Sequence, residues 1–353
     1  NNFVFLLLNE ISKDELKELL QILAIFPSIE ISFEILQKSI GLEKLRVNLQ
    51  KLVERGWLTN KEDSYKLHQI IRTFILSEYK IEYEKVTFIF ENIAKYINPD
   101  DSTLIANRLN GYIPIIESLL NIFESKKDDF ICGILDSITY LFYSFAQYEK
   151  SLDYQKKALD FRINNYGENS LEGAISNNLL AIVYQVIGNY TKAFEYSEKS
   201  LKIREEKLDN KHLDLALSYG TTAFIYLSIG ELTKAFEYSE KSLKIREEKL
   251  DNKHLLLGVS YSNISLIYRY KGQLFDALSY QKKALELFED SLKNEHPLLA
   301  TCYNNISLIY LAMKGQQNLI MALNHQKKAL KLTEDLLGKE HPSLATCYNN
   351  ISM

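Results

Sequence analysis

The sequence of 353 residues predicts an all-α fold, an α-solenoid of stacked helix pairs preceded by a small domain. Three observations predict it. Long segments recur every 42 residues, and residues 191–213 return letter for letter as residues 233–255. Apolar residues in each unit follow the three- and four-residue steps of helices. Only five prolines and 13 glycines interrupt the sequence, which favours long helices.

Residues 1–80 contain the pattern of three helices followed by a β-hairpin. Helices are predicted over residues 12–26, 32–40 and 42–56, with a short strand at 29–31 and Gly56 closing the third helix. Residues 57–59 and 65–67 read as two strands around a polar turn. We therefore assign residues 1–80 to a winged-helix domain and residues 81–133 to a helical connector.

The charge of this first domain bears on whether it binds DNA. Between residues 12 and 80 the sequence has 11 basic and 10 acidic residues. Modules that enter a DNA groove concentrate positive charge much more strongly. A packing or hinge module is therefore favoured over a transcription regulator, and nucleic acid is not expected as a partner.

Each 42-residue unit has a first helix, a glycine turn and a second helix. The units resemble tetratricopeptide repeats (TPRs) of the long type found in kinesin light chains. The resemblance implies a right-handed TPR superhelix over residues 134–353, with an incomplete last repeat. The residues that carry it are an aromatic position and a small position in the first helix, held by Tyr219, Tyr261, Tyr303 and Tyr348 and by Ala181, Ala223, Ser265 and Ser307.

A curved solenoid has a concave face lined mainly by its first helices, where we expect a ligand to bind. In kinesin light chains an asparagine one position after the aromatic binds the backbone of an extended peptide, because an amide both donates and accepts. The same asparagines could instead bond neighbouring helices. The predicted ligand-binding residues on the concave face are Asn178, Gln185, Ser262, Asn263, Arg269, Tyr270, Asn304, Asn305 and Asn349.

The segment that ends the hairpin, YKLHQIIRTF at 65–74, carries a second resemblance. It is similar to the segment closing the winged-helix domain of signal-transduction ATPases with numerous domains (the STAND or NB-ARC class). Their Met-His-Asp motif would fall on Leu67, His68 and Gln69, so Gln69 departs from the usual acid. The resemblance implies that His68 senses a nucleotide by approaching the β-phosphate of ADP, to which an imidazole N–H can donate.

The sequence contains no phosphate-binding loop of the pattern G-x-x-x-x-G-K-[ST]. We therefore expect no cofactor in this chain, and ADP or ATP only in a nucleotide-binding domain upstream. The four repeated histidines, one in each repeat, are interpreted as residues entering the first helices and not as metal ligands: His212, His254, His296 and His341. Cys302 and Cys347 are interpreted as core residues. No catalytic constellation is present, and an enzyme is not predicted.

Composition and charge limit the cellular location and the kinds of partner that we expect for the protein. Lys and Arg total 42 against 46 Asp and Glu, which leaves a formal charge of −4 and argues against a general coat for nucleic acid or membrane. No apolar run has the length of a membrane span, and three cysteines are too few for a disulfide framework. We expect a cytoplasmic protein without a membrane partner, and a piece of a longer polypeptide.

Together the patterns predict the protein- or peptide-binding sensor and regulatory region of a STAND-type signalling ATPase, a class often used in defence. A ligand on the concave TPR face would act through the winged helix on upstream NTPase and effector domains, with homo-oligomerisation on activation. The alternative is a scaffold or cargo adaptor of the kinesin-light-chain type without nucleotide control.

Overall fold

The computed structural model describes residues 15–96, 105–123, 129–292, 296–337 and 342–352. Two compact units divide the protein, one over residues 1–137 and the other over residues 138–353. The helix Asp129–Ser144 crosses this boundary. Each unit is described by itself.

The N-terminal unit contains short helices and one small antiparallel sheet. Its elements are α1 (Glu15–Ile25), β1 (Ile31–Ser32), α2 (Phe33–Ile40), α3 (Leu45–Glu54), β2 (Leu58–Lys61), β3 (Ser64–Leu67), α4 (Gln69–Glu78), a 3-10 helix (Tyr83–Lys85), α5 (Thr87–Tyr96), α6 (Ile105–Ile122) and the start of α7 (Asp129–Ser144). The strand order in the sheet is β1-β3-β2. This order of elements is winged-helix-like, as the sequence predicts.

The hairpin turn is tighter than the sequence suggests, because β2 extends to Lys61 and β3 resumes at Ser64. The two residues between the strands, Glu62 and Asp63, both have positive φ, the geometry that matches strand twist in a two-residue hairpin. Asp63 also receives two hydrogen bonds from Arg46 of α3. These hydrogen bonds join the β2–β3 hairpin to α3.

Helix ends in this unit follow local capping signals. Ser32 caps α2 by accepting a hydrogen bond from the Ile35 N–H, and Gly41 ends the same helix with a φ of 72°. The predicted strand at 29–31 is observed at Ile31–Ser32. The predicted start of the first helix at Ser12 lies outside the described residues.

The C-terminal unit continues as a series of antiparallel helix pairs. After the end of α7 come α8 (Tyr148–Tyr166), α9 (Leu171–Ile187), α10 (Tyr190–Lys207), α11 (Leu213–Ser228), α12 (Leu232–Lys249), α13 (Leu255–Tyr270), α14 (Leu274–Ser291), α15 (Pro297–Met313), α16 (Gln316–Leu337) and α17 (Pro342–Ser352). The first helices of the repeats are α9, α11, α13, α15 and α17, and the second helices are α10, α12, α14 and α16. This is the predicted solenoid.

The repeated sequence produces repeated contacts. The first helices α11, α13 and α15 have N-cap histidines, and each accepts a hydrogen bond on Nδ1 from the N–H two residues later: His212, His254 and His296. The prediction that these histidines enter the first helices is confirmed, and His341 lies outside the described residues. The two helices of a repeat cross closely at buried alanines and at ring stacks with centroids 5.5 Å apart, namely Tyr184–Tyr196, Tyr226–Tyr238 and Tyr268–Tyr280.

Candidate functional site: the inner wall of the repeats

The first helices of the repeats form one continuous layer. Each of α9, α11 and α13 packs on its own second helix and also contacts the first helix of the next repeat directly. In a curved stack the layer whose helices approach each other lies on the inner side, and that side offers the extended binding surface. We call the solvent-facing side of α9, α11, α13 and α15 the inner wall.

The inner wall is nearly free of charge. Along it α9 has one acid, Glu172, α11 has Asp214, α13 has Arg269, and α15 has no charged residue. Exposed apolar side chains lie between the polar ones, including Ile175, Leu217 and Phe224. Such a surface suits an uncharged, extended main chain better than a polyanion.

In two of the repeats, the side chain one position after the aromatic residue already has hydrogen-bond partners within the protein. Asn304 Oδ1 accepts hydrogen bonds from Gln326 Nε2 at 3.2 Å and from Asn350 Nδ2 at 2.8 Å. Ser262 Oγ accepts from Gln281 Nε2 at 2.9 Å. These contacts join a first helix to its second helix and, at Asn350, to the next repeat. Asn304 therefore bonds neighbouring helices, the alternative that the sequence left open.

Asn178 holds the equivalent position in α9 and lies below the surface. It is 2% exposed, and its Oδ1 has no hydrogen-bond partner among the described residues. A buried amide oxygen without a partner is costly, at about 1–3 kcal/mol. Its part in ligand binding stays a prediction, but a ligand does not reach this amide directly on the surface described.

The next position along the helix presents free amides. Asn263 and Asn305 are half-buried on α13 and α15, and neither makes a side-chain hydrogen bond within the described ranges. Each offers two N–H donors and one oxygen acceptor, the complement of a peptide group. Their amides are therefore available to a main-chain ligand, and their part in binding stays a prediction.

The remaining predicted residues are spread along the repeats. Gln185 Nε2 donates to Ser228 Oγ at 2.8 Å, which joins α9 to α11. Arg269 stacks on the ring of Tyr270, with the guanidinium carbon 4.9 Å from the centroid, and Tyr270 is 59% exposed. Asn349 is exposed on α17. Arg269 and Tyr270 are the last two residues of α13, so they lie at the C-terminal end of that helix, next to the turn.

His68 lies apart from these residues, in the N-terminal unit. It follows β3 directly, its N–H donates to the Trp57 carbonyl oxygen, and it occupies the position before the first residue of α4. Its side chain is exposed and makes no capping hydrogen bond. The imidazole is thus accessible, and its nucleotide-sensing role stays a prediction.

Sequence reasoning missed a row of buried arginines. The charged run 195–207 has the composition of a solvated helix face, and Glu195 and Lys199 do form an exposed ion pair. Arg204, however, is only 2% exposed and donates to Ser218 Oγ, and Arg246 in the duplicate donates to Ser260 Oγ. The signal that could have found them is a small residue, serine, at matching positions of both following helices.

Two electrostatic effects recur along the unit. Burial, followed by a hydrogen bond to a glutamate, raises the pKa of Tyr219 and of Tyr303 to about 12. Burial also raises the pKa of the Cys302 thiol to about 11. A thiol that stays protonated is a poor nucleophile, in keeping with the interpretation of Cys302 as a core residue.

Neither a metal cluster nor a membrane span occurs in the described ranges. There, no three His, Cys, Asp or Glu side chains lie close enough together to hold a metal ion. None of the helices in those ranges is long and apolar enough to cross a membrane.

The comparison with protein families matches the repeats. Residues 173–248 and 256–318 match one family model described as tetratricopeptide repeat, and residues 299–343 match a second with the same description. The comparison with curated proteins gave no match.

The comparison with solved structures gave matches at low sequence identity. A STAND protein with a tetratricopeptide repeat sensor from Pyrococcus horikoshii is 17% identical, and the match covers 99% of this chain and 55% of that one, with a TM-score of 0.51. A Podosopora anserina protein of the kinesin-light-chain type, with nearly identical TPR-like repeats, is 17% identical over 57% of this chain and 94% of that one, with a TM-score of 0.45. The matched ranges 173–248, 256–318 and 299–343 thus follow the tetratricopeptide repeat pattern that the 42-residue period predicts.

Proposed function

We propose that this protein is the sensor and regulatory region of a STAND-type signalling ATPase, and that its inner wall binds a protein or an extended peptide. The observation that carries the binding role is the pair of free amides, Asn263 and Asn305, on a wall almost without charge. TPR regions typically bind protein partners, so the repeats support a protein-binding role.

The regulatory role rests on the order of the two units and on one motif. A winged-helix-like unit precedes the repeats, and the STAND-like segment around His68 ends its hairpin. The solved STAND protein with a TPR sensor matches 99% of this chain with a TM-score of 0.51, which supports the proposal at the level of fold. In the proposal the ligand shifts the molecule toward an active state because it binds that state more tightly.

The binding role is tested with peptides displayed on phage and selected on the 353-residue protein. The double variant Asn263→Ala, Asn305→Ala should bind the selected peptides at least about tenfold more weakly, since two hydrogen bonds are lost. Lys202→Ala, Lys244→Ala on the second helices is the matched control and should bind normally. Equal binding by both variants would count against the inner wall as the site.

The switch role is tested in a longer protein that includes the nucleotide-binding domain. His68→Ala should raise oligomerisation in the absence of ligand, because a contact that holds the closed ADP state is removed. Lys66→Ala, an exposed residue two positions earlier, is the control and should leave the oligomeric state as it is. Unchanged oligomerisation in His68→Ala would favour the scaffold or cargo adaptor without nucleotide control.

A further inference from the structure

One position of the second helices carries a ring that packs on the first helix of the same pair. The sequence after this ring is almost constant, since YQKKAL at 154–159 and at 280–285 becomes HQKKAL at 325–330. The ring is a tyrosine on α8, α10, α12 and α14 and a histidine on α16, at positions Tyr154, Tyr196, Tyr238, Tyr280 and His325. The last complete repeat thus has a group that titrates near neutral pH where the others have a phenol.

His325 takes the place of the tyrosine in the ring stack. Its ring centroid lies 5.9 Å from that of Tyr310 and 5.8 Å from that of Tyr303, both on α15, at interplanar angles of 16° and 29°. In the preceding repeat the rings of Tyr268 and Tyr280 are 5.5 Å apart at 27°. The imidazole therefore packs on its first helix much as the phenol ring does.

The Nδ1 atom of His325 is buried and has no hydrogen-bond partner among the described residues. A neutral imidazole tolerates this arrangement, because its proton can stay on Nε2 and leave Nδ1 bare. Protonation places an N–H on both nitrogens and so creates a buried donor without an acceptor. Such a donor disfavours the packed state, and water satisfies it once the packing opens.

The charged groups around the stack also oppose a proton on His325. Burial lowers the pKa of this histidine, and Lys328 on α16 and Lys282 on α14 lower it further. Glu289 on α14 acts in the opposite direction, but its carboxylate already accepts a hydrogen bond of 2.7 Å from the Tyr303 hydroxyl. Burial and this carboxylate raise the pKa of Tyr303 to about 12, so the phenol adds no negative charge. Two cations and one carboxylate thus act on the imidazole, and its neutral form is favoured.

The histidine adjoins a contact that joins three helices. The next residue, Gln326, donates from Nε2 to Asn304 Oδ1 on α15 at 3.2 Å and to the Cys347 carbonyl oxygen on α17 at 3.4 Å. The ring and this amide are neighbours on α16, so a loss of ring packing would also weaken the contact with α15 and α17.

We propose that His325 makes the repeat formed by α15 and α16 sensitive to acid: protonation of its imidazole loosens the packing of α16 on α15 and favours local opening of this helix pair. The ordinary pKa of histidine is 6.5, and folding lowers it at this position. The packing is therefore complete above pH 6.5 and is weakened as the pH falls through the lower value of the folded state. A phenol does not titrate in this interval, so the repeats with tyrosine lack the effect.

The test is hydrogen–deuterium exchange of the 353-residue protein at pH 5.5 and pH 7.5, corrected for the chemical exchange rate at each pH. In the parent protein α15 and α16 should open more often at pH 5.5 and exchange faster by about threefold or more, whereas α9 and α10 should not. NMR of the imidazole C–H signals should give a titration midpoint for His325 below pH 6.5. The signal is assigned by its absence from the spectrum of His325→Tyr.

Three variants complete the test. His325→Tyr restores the residue of the other second helices and should abolish the acid effect, and His325→Phe, a ring that does not titrate, should do the same. Lys327→Ala removes an exposed charge of the same helix and should keep the effect. No acid effect in the parent, an equal effect in both ring variants, or a midpoint at or above pH 6.5 would each overturn the proposal. The experiment uses no ligand, so its outcome is independent of the proposed function.

Discussion

Two helical glycines of the first helices have opposite surroundings. At Gly258 of α13 a Cβ would lie 2.6 Å from the ring of Phe288, whereas at Gly220 of α11 the nearest atom is 3.5 Å away. Phe288 is buried in a hydrophobic cluster to which α12, α13, α14 and α15 all contribute, so its ring has little room to move. The first glycine is therefore required for packing, and the second is not.

The first prediction follows from this contrast. Gly258→Ala should lower the free energy of unfolding by about 1–3 kcal/mol, the usual cost of overpacking. Gly220→Ala should leave it unchanged or raise it by up to about 1 kcal/mol, because alanine favours the helix. Urea denaturation of both variants measures the difference. Equal stabilities would show that Phe288 yields to the added methyl group.

The buried thiols give a second prediction. Cys132, Cys302 and Cys347 are all buried, and burial raises the pKa of Cys302 to about 11. At pH 8 the folded protein should therefore react with a thiol reagent far more slowly than the same protein in urea. Counting the labelled sites by mass spectrometry checks this. Rapid labelling of Cys302 in the folded state would contradict its place in the core.

At the scale of the element, tyrosines link each second helix to the first helix that follows. The phenolic O–H groups of Tyr219, Tyr261, Tyr303 and Tyr348 donate to glutamates 14 residues earlier, over distances of 2.7–3.2 Å. The same tyrosines carry the aromatic position of the TPR pattern. One constant spacing along the sequence thus produces one repeated contact between helices.

These contacts predict a pH dependence. The pKa of Tyr219 and Tyr303 rises from 10 to about 12 on folding, so the folded state favours the neutral phenol. Their contribution to stability is complete below pH 10 and is lost as the pH rises toward 12. The urea midpoint of the parent protein should fall as the pH rises across this interval. The midpoint of the double variant Tyr219→Phe, Tyr303→Phe should fall less steeply. Identical slopes for variant and parent would contradict this role.

Particular elements show what the sequence could predict and what it could not. Helix starts at His212, His254 and His296 and the turn glycines were predictable, because capping and positive φ depend on a few neighbouring residues. The burial of Arg204 and Arg246 was not, since a charged run reads as a solvated face until the serines of the next helix are placed against it. The same holds for Asn304, whose hydrogen bond to Asn350 depends on the angle between repeats.

At the scale of the whole molecule, the two units have different roles in the proposal. The repeats supply a recognition surface, and the winged-helix-like unit carries the histidine expected to report on nucleotide. The duplicated second helices present nearly identical charged surfaces, whereas the first helices between them differ, with SYGTTAFI at 218–225 and SYSNISLI at 260–267. Variation is thus concentrated in the layer that we propose binds the partner.

Hydrogen–deuterium exchange tests most directly whether the inner wall binds the partner. Exchange is measured on the 353-residue protein with and without a peptide selected on it. If the inner wall binds the peptide, exchange should be slower in α11, α13 and α15, where bound peptide would cover the inner wall and order its helices. The second helices α10, α12 and α14 should exchange as in the free protein. Protection confined to those second helices would contradict the inner wall as the site of recognition.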